Sequence, residues 1–326
     1  MRTVTLQYPL FDGEKIIENA SVTIENGTIA AVTEANSPHS DCLLMPGLID
    51  AHTHMTSDAQ VQTMLQNGVV ATCDVCAPAT LVERSKPFTI VSSAGMTMGT
   101  LHGSGYVKKA MESGAKYIKV LLFEPSLMPK SVLKSICETA HDYGLKVAVH
   151  ATSVKAESMA VSCGADILLH VPMKEALPTD LAKEIAKRGI AVAPTLVMME
   201  TFAHSGRNGY MPAHYQNAEN AVRTLYTCGV PILAATDANT GDFAPAVAYG
   251  TSMHREALLL WKAGMAPVDV LASATSKVSQ VFGVGDLGSV AVGKKASLIC
   301  INGRPDKDIT AIQKIKHIWI EGEQLL

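Results

Sequence analysis

Four histidines and an aspartate stand where short apolar runs stop and a lysine interrupts another, and that placement suggests a shared chemistry. MPGLIDAHTH ends with His52 and His54 two residues apart, just past Asp50. Alternate residues of a strand face the same way, so both imidazoles aim to one side with Asp50 behind them, a natural pair of ligands for a cation. VAVH ends at His150, ILLH at His170, and PILAATDA carries Asp237 near its end. One strand-end histidine is usually a hydrogen-bonded core residue. Four of them, with an aspartate that can ligate a metal and accept a proton, point to a metal centre rather than to four accidents. In YIKVLLF, Lys119 faces inward with Tyr117 and Leu121 while Ile118 and Val120 face helices. An inward ammonium with no carboxylate beside it is costly. It can be relieved by a lowered pKa, or by reaction with carbon dioxide to a carbamate whose oxygens bridge two cations. The six groups suit two divalent ions about 3.5 to 4 Å apart, most simply zinc.

These residues need a scaffold that brings distant strand ends together. Eight apolar runs qualify as strands: GLIDAH, VVATCDV, FTIVSS, YIKVLLF, LKVAVH, DILLHV, IAVAPTL and PILAATD. Between them lie helical stretches, among them PKSVLKSICETAHDYG, VKAESMAVSCG, PTDLAKEIAKRG and AHYQNAENAVRTLYTCG, each ending on the glycine that stops a helix. Strand and helix alternating eight times predicts an α/β fold of the (β/α)8 TIM barrel type, with its chemistry at the C-terminal ends of the strands. No G-x-G-x-x-G follows the first strand, so the fingerprint of a dinucleotide-binding sheet is missing. Both ends of the chain read differently. TVTLQYPLFDG and ENASVTIENGTIAAV near the start, and SVAVGKKASLICI and IKHIWIEG near the end, are short strands joined by glycine turns. Neither end can bury a face alone, so the two are expected to build one small β-sandwich from residues 1–46 and 288–326, beside a catalytic barrel of 47–287.

Composition narrows the partners. The 326 residues carry 27 basic and 30 acidic side chains, a formal charge of -3, with no basic block to track a phosphate backbone, so nucleic acid is not expected. Apolar runs are broken well short of the roughly 18 residues of a membrane span, and the first residues lack a signal-like apolar core. Seven scattered cysteines do not form a disulfide framework and fit a reducing cytoplasm. Cys73 and Cys76 match C-x-x-C but have no second pair, and read as ordinary strand-end cysteines. The expected partner is a small-molecule substrate. A homo-oligomer, most simply a dimer, would be unexceptional.

With MPGLIDAHTH, GAKYIKVLL, VAVHA, ILLH, VAPTL, ILAATDA and the tail from Met253 to Cys300, the sequence resembles the amidohydrolase superfamily over nearly its whole length. It looks most like the branch of imidazolonepropionase-related hydrolases and binuclear Xaa-Pro and Xaa-Arg dipeptidases. The resemblance implies His52, His54 and Asp237 on the more buried ion, His150 and His170 on the second, and an N6-carboxylated Lys119 bridging them. Imidazolonepropionases proper use one ion without this lysine, so IKV argues against that activity. Such enzymes commonly follow the third strand with a GGHG loop, whereas AGMTMGTLHGSG keeps only His102-Gly103 in a comparable place.

The implied reaction is hydrolysis of an amide or cyclic amide in a small molecule such as a dipeptide or N-acyl amino acid. A hydroxide bridging the ions attacks, Asp237 carries the proton to the leaving nitrogen, and a metal steadies the oxyanion. Deamination is the first rival, and lactone or phosphotriester hydrolysis at the same centre the second. A silent scaffold barrel is a third, disfavoured because all six ligand types are kept. Substrate contacts are sought on the strand-end loops, at His102, Tyr106, Arg207 and Tyr210, with Arg207 the first candidate to clamp a carboxylate. His39, His204, His214 and His317 read as surface histidines, and His254 as a structural group near the barrel rim.

Overall fold

A computed structural model describes residues 3–35, 40–98 and 103–326. The chain begins with β1 (Thr3–Phe11), β2 (Ile16–Glu25), β3 (Thr28–Glu34) and β4 (Cys42–Pro46). The barrel strands follow, each with its helices: β5 (Leu48–Thr53), α1 (Asp58–Gln66), β6 (Val69–Asp74), α2 (Ala79–Arg84), β7 (Thr89–Ser92), α3 (Gly103–Glu112), β8 (Ile118–Leu122), α4 (Lys130–Asp142), β9 (Val147–Ala151), α5 (Val154–Cys163), β10 (Ile167–Leu169), α6 (Thr179–Lys187), β11 (Ala191–Ala193), α7 (Leu196–Ser205) and α8 (Tyr215–Thr227). After segment 231–238 come α9 (Thr251–Lys262), α10 (Pro267–Ser273) and α11 (Ser276–Phe282), and the chain closes with β12 (Leu298–Asn302), β13 (Ile315–Ile320) and β14 (Glu323–Gln324).

Strands β5, β6 and β7 pair in parallel, as do β8 through β11. Three bridges join these sheets into a ring. Thr97 meets Val120, Val192 meets Ile232, and Thr53 meets Ala238. Segment 231–238 therefore supplies the eighth stave, tied to β5 by Ala51 N donating to Ala234 O at 3.0 Å and Asp237 N donating to His52 O at 2.9 Å. The fold is the α/β barrel with a terminal β-sandwich that the eight apolar runs imply. The four quoted helical stretches are α4, α5, α6 and α8, and the glycines that end them, Gly144, Gly164, Gly189 and Gly229, all take positive φ.

The remaining strands form one seven-stranded sheet in the order β14-β13-β12-β4-β1-β2-β3. Its β2–β3 hairpin turns on Asn26 and Gly27, both at positive φ, as the Asn-Gly pair predicts. Period-two alternation divides the residues of its central strands between two cores. Leu43 and Met45 of β4, Ile299 and Ile301 of β12, and Ile318 and Ile320 of β13 join the barrel's core. Leu44, Leu298, Cys300 and Trp319 face the other way and close a second core with Leu6, Leu10, Val22, Ile24 and Ile29. The sheet thus folds over on itself while its back seals the barrel. No helix among the described residues is long and apolar enough to cross a membrane.

Gly47 links β4 to β5 where the chain passes close to β6. A Cβ there would lie 2.3 Å from Val70 Cγ1, so the Pro-Gly before LIDAH is a packing requirement as well as a bend. Gly47→Ala should cost about 1 to 3 kcal/mol by overpacking, lowering the calorimetric Tm by roughly 2 to 4 °C per kcal/mol. An unchanged Tm would show that β5 and β6 separate freely.

Candidate metal centre

The ends of the barrel strands are held by carboxylates that do not face the mouth. Asp50, fully buried, accepts from His52 N at 3.2 Å and Thr236 N at 3.0 Å through one oxygen and from the Thr236 hydroxyl at 2.6 Å through the other. It clamps β5 to the eighth stave, although burial still pushes its carboxyl up to about 7. Asp74, at the end of β6, accepts from the Thr53 hydroxyl at 2.7 Å and from the backbone N–H groups of Met55, Cys76 and Ala77. Between them these two acids fix the residues on either side of both imidazoles.

His52 and His54 then converge with Asp237. The Nε2 atoms of His52 and His54 lie 3.3 and 3.0 Å from Asp237 Oδ1. The three ligand atoms fall within 4.8 Å of one another, with all three residues buried. Beside them His170 has its ring centre 5.5 Å from that of His52 and 4.4 Å from that of His150. Asp237 and His170 are both non-glycine residues at positive φ, 56° and 72°, so the backbone turns sharply where each strand delivers its ligand.

The donor set is of the kind that holds a cation. His52 Nδ1 and His150 Nε2 are buried without a hydrogen-bond partner, and Asp237 Oδ1 faces only the two imidazole nitrogens 3.0 and 3.3 Å away, a costly state unless something else occupies their lone pairs. Burial first, then neighbouring positive charge, holds His52, His150 and His170 well below the usual imidazole range, so all three present neutral nitrogens as a metal requires. Lys119 is buried among them. Desolvation lowers its amine to about 7 while Asp237 opposes the shift, and its charge in turn depresses the three histidines. The residues fit a divalent cation in donor type, burial and unsatisfied valence.

One imidazole is steadied from behind. His170 Nδ1 pairs with the Thr195 hydroxyl at 2.7 Å, which leaves Nε2 as the ligating nitrogen. Thr195 sits at φ 50° and ψ 49°, immediately before α7. The first turn of that helix is pinned by Glu256 of α9, whose two oxygens accept from Leu196 N at 3.0 Å and Val197 N at 2.7 Å. Glu256 is fully buried and raised to about 8, burial outweighing the two N–H bonds.

The other sequence candidates fare differently. Tyr106 is buried on α3 and its hydroxyl donates to the Lys119 carbonyl at 3.3 Å. Its polar end thus meets the backbone of β8. Arg207 lies exposed in a 3-10 turn, and the described contacts do not bring its guanidinium to the cluster. Tyr210 is half-buried, edge-on to Phe202, beneath the Lys174 ammonium 4.6 Å from its ring centre, and hydrogen-bonded to Thr152, two residues past His150. His102 and His39 fall outside the described residues. His204 is exposed and bonds the Glu200 carbonyl, His214 caps Met211, His317 is partly exposed, and His254 bonds the Asn67 carbonyl, so these four serve the fold. All seven cysteines are free, yet Cys76 is more than an ordinary strand end: its Sγ lies 3.6 Å from His54 Nδ1.

With this geometry in place the relatives can be compared. The amidohydrolase family model matches residues 100–325, most of the chain, and the chain belongs to that family. An uncharacterised protein of Mycobacterium tuberculosis is 30% identical over 122 residues, which span 35% of this chain and 32% of that protein. Among solved structures, the fold is similar to that of a Xaa-Pro dipeptidase with bound methionine in the active site, with a TM-score of 0.84, 18% identity and 99% of both chains covered. It is also similar to A. niger ochratoxinase, at 0.83 and 20% with 99% of this chain and 95% of that chain covered. Phenylurea hydrolase B gives 0.82 and 17%, with 99% and 97% covered.

Asp74, Thr195 and Glu256 were not singled out from the sequence. The signal available was an acid inside an apolar helical stripe, MHREALLL, and another closing an apolar strand, TCD. If Thr195 positions His170 for a metal, Thr195→Val should weaken cobalt binding, titrated by visible absorbance, by about 10- to 100-fold with little change in Tm. Equal affinity in variant and parent would remove that role.

Proposed function

We propose that this chain is a binuclear metal-dependent hydrolase of amide bonds in small molecules, carrying two zinc-type ions and a carboxylated Lys119. The observation that carries the reading is the convergence of His52, His54 and Asp237, their ligand atoms within 4.8 Å of one another and all three buried, beside a desolvated lysine amine. His52, His54 and Asp237 would hold one ion and His150 and His170 the other. When bound, the ions supply positive charge that acidifies water and polarises a carbonyl.

The chain's own residues account for the rest. Lys119, fully desolvated, has a neutral amine available near pH 7 whose lone pair can bond the carbon of carbon dioxide, releasing one proton and leaving an anionic carbamate. That converts an unpaired buried cation into the anion two cations need. Asp237, buried beside the two imidazoles, accepts a proton as water adds to the amide carbon and returns it to the nitrogen as the C–N bond breaks, giving an acid and an amine. Thr195 and Glu256 keep the His170 ring aimed, and Asp50 and Asp74 keep β5 in register with its neighbours. Dipeptides and N-acyl amino acids head the substrate panel, followed by cyclic amides, lactones and nucleobases. The seven free cysteines support a cytoplasmic setting.

Two outcomes test the reading. Asp237→Asn should lower kcat on any cleaved amide by about 10²- to 10⁴-fold, and elemental analysis of the same sample must show that metal is still held. Lys119→Met should lose one equivalent of metal and the carbamate resonance seen by NMR with isotope-labelled bicarbonate. Because burial places the parent amine near pH 7, below that pH the protonated, unreactive form dominates. The carbamate signal should therefore grow as pH rises through 7 and fade below it. A parent protein that binds no divalent ion, with or without bicarbonate, would overturn the assignment.

A further inference from the structure

Two phenyl rings flank the ligand histidines on opposite sides. Phe243 is 61% exposed, yet its ring centre lies 4.7 Å from that of His54. Phe123 is 41% exposed and lies 4.5 Å from His150. Taken in order, Phe123, His150, His170, His52, His54 and Phe243 form an arc of six rings with neighbouring centres 4.4 to 5.5 Å apart. Phe123 follows β8 directly and Phe243 follows the eighth stave, so both belong to strand-end loops. Large aromatic side chains left in water beside buried polar groups are surface whose burial a ligand can exploit.

A third wall is apolar as well. Thr97 pairs in parallel with Val120, and paired residues share a side. Met96 and Met98, which flank Thr97 in that strand-end loop, are 37% and 53% exposed. Charge at the two phenyls runs against an anionic ligand. Glu124 is the chain neighbour of Phe123 and Asp242 that of Phe243, both exposed. The Lys174 ammonium is engaged elsewhere, donating to Asn208 O at 2.9 Å.

We infer that Phe123 and Phe243 form two subsites for uncharged aromatic or bulky apolar groups, so that the preferred substrate is a neutral amide with one such group on each side of the scissile bond. This rests on the amide-hydrolase reading and narrows it away from substrates bearing a carboxylate. Phe243 stands on the His54 and Asp237 side, where the leaving nitrogen is protonated, and takes the amine substituent. Phe123, on the His150 side, takes the acyl substituent.

The test crosses two variants with four ligands: N-benzylbenzamide, N-benzylacetamide, N-methylbenzamide and N-benzoylglycine. Binding to metal-free protein is measured by equilibrium dialysis and NMR, hydrolysis with metal-loaded enzyme. N-Benzylbenzamide should bind about tenfold tighter than either single-ring amide, and N-benzoylglycine should be the poorer ligand by a similar factor. Phe243→Ala should weaken the two benzylamine compounds about tenfold and spare N-methylbenzamide. Phe123→Ala should weaken the benzoyl compounds and spare N-benzylacetamide. Both side chains are exposed, so each variant should keep the parent Tm. A uniform loss for all ligands, no loss for any, or a preference for N-benzoylglycine would overturn the subsites. The crossed binding pattern without turnover of any amide would sink the hydrolase reading instead and leave the subsites standing.

Discussion

The structure depends on one electrostatic constraint: a lysine amine, a carboxylate and neutral imidazoles are buried together at the barrel mouth with few groups beyond one another to compensate them. Left alone such a cluster opposes folding, since each unpaired polar atom gives up its water for nothing. Burial answers part of the strain by moving protons, pushing Lys119 down to about 7 and the histidines well below their ordinary range. The lone pairs so exposed are those a divalent ion takes up. Stability given away at the mouth and readiness to bind metal are therefore the same physical fact.

Around that mouth the fold spends three further buried acids on geometry. Asp50 joins the first and eighth staves, Asp74 holds the chain just past β5, and Glu256 receives the start of α7. All three accept main-chain N–H groups, which fixes backbone position more firmly than a contact between two mobile side chains. The backbone is left free to adopt the positive φ values at His170, Thr195 and Asp237. Ligand aim is thus set by carboxylates that never need touch a substrate.

Much of this was legible in the residue order because it depends on local pattern. Period-two faces placed His52 with His54, apolar runs placed His150, His170 and Asp237 at strand ends, and glycine stops marked four helices. What the order concealed depends on meetings between distant residues. Glu256 reaches backbone 60 and 59 positions earlier, and nothing nearby distinguishes it from a solvated helix acid. Tyr106, sought as a loop residue facing substrate, lies on α3 with its hydroxyl on the backbone of β8. Phe123 and Phe243 were not singled out, since exposure of an apolar side chain leaves no trace in hydropathy. Cys76 was dismissed with its partner Cys73, although only Cys73 is buried.

The two-faced sheet also bears on how the chain reaches this state. β4 pairs with β12, its partner more than 250 positions later, through Pro46 with Leu298 to Cys42 with Asn302. Until β12 and β13 are available, the back of the barrel and the interior of the sandwich both lack a wall. Neither body can finish as a ribosome delivers the chain from its beginning, and a nascent barrel would present a greasy flank awaiting its last strands. The same two late strands complete both cores, so the closing of the sandwich is coupled to the closing of the barrel's back.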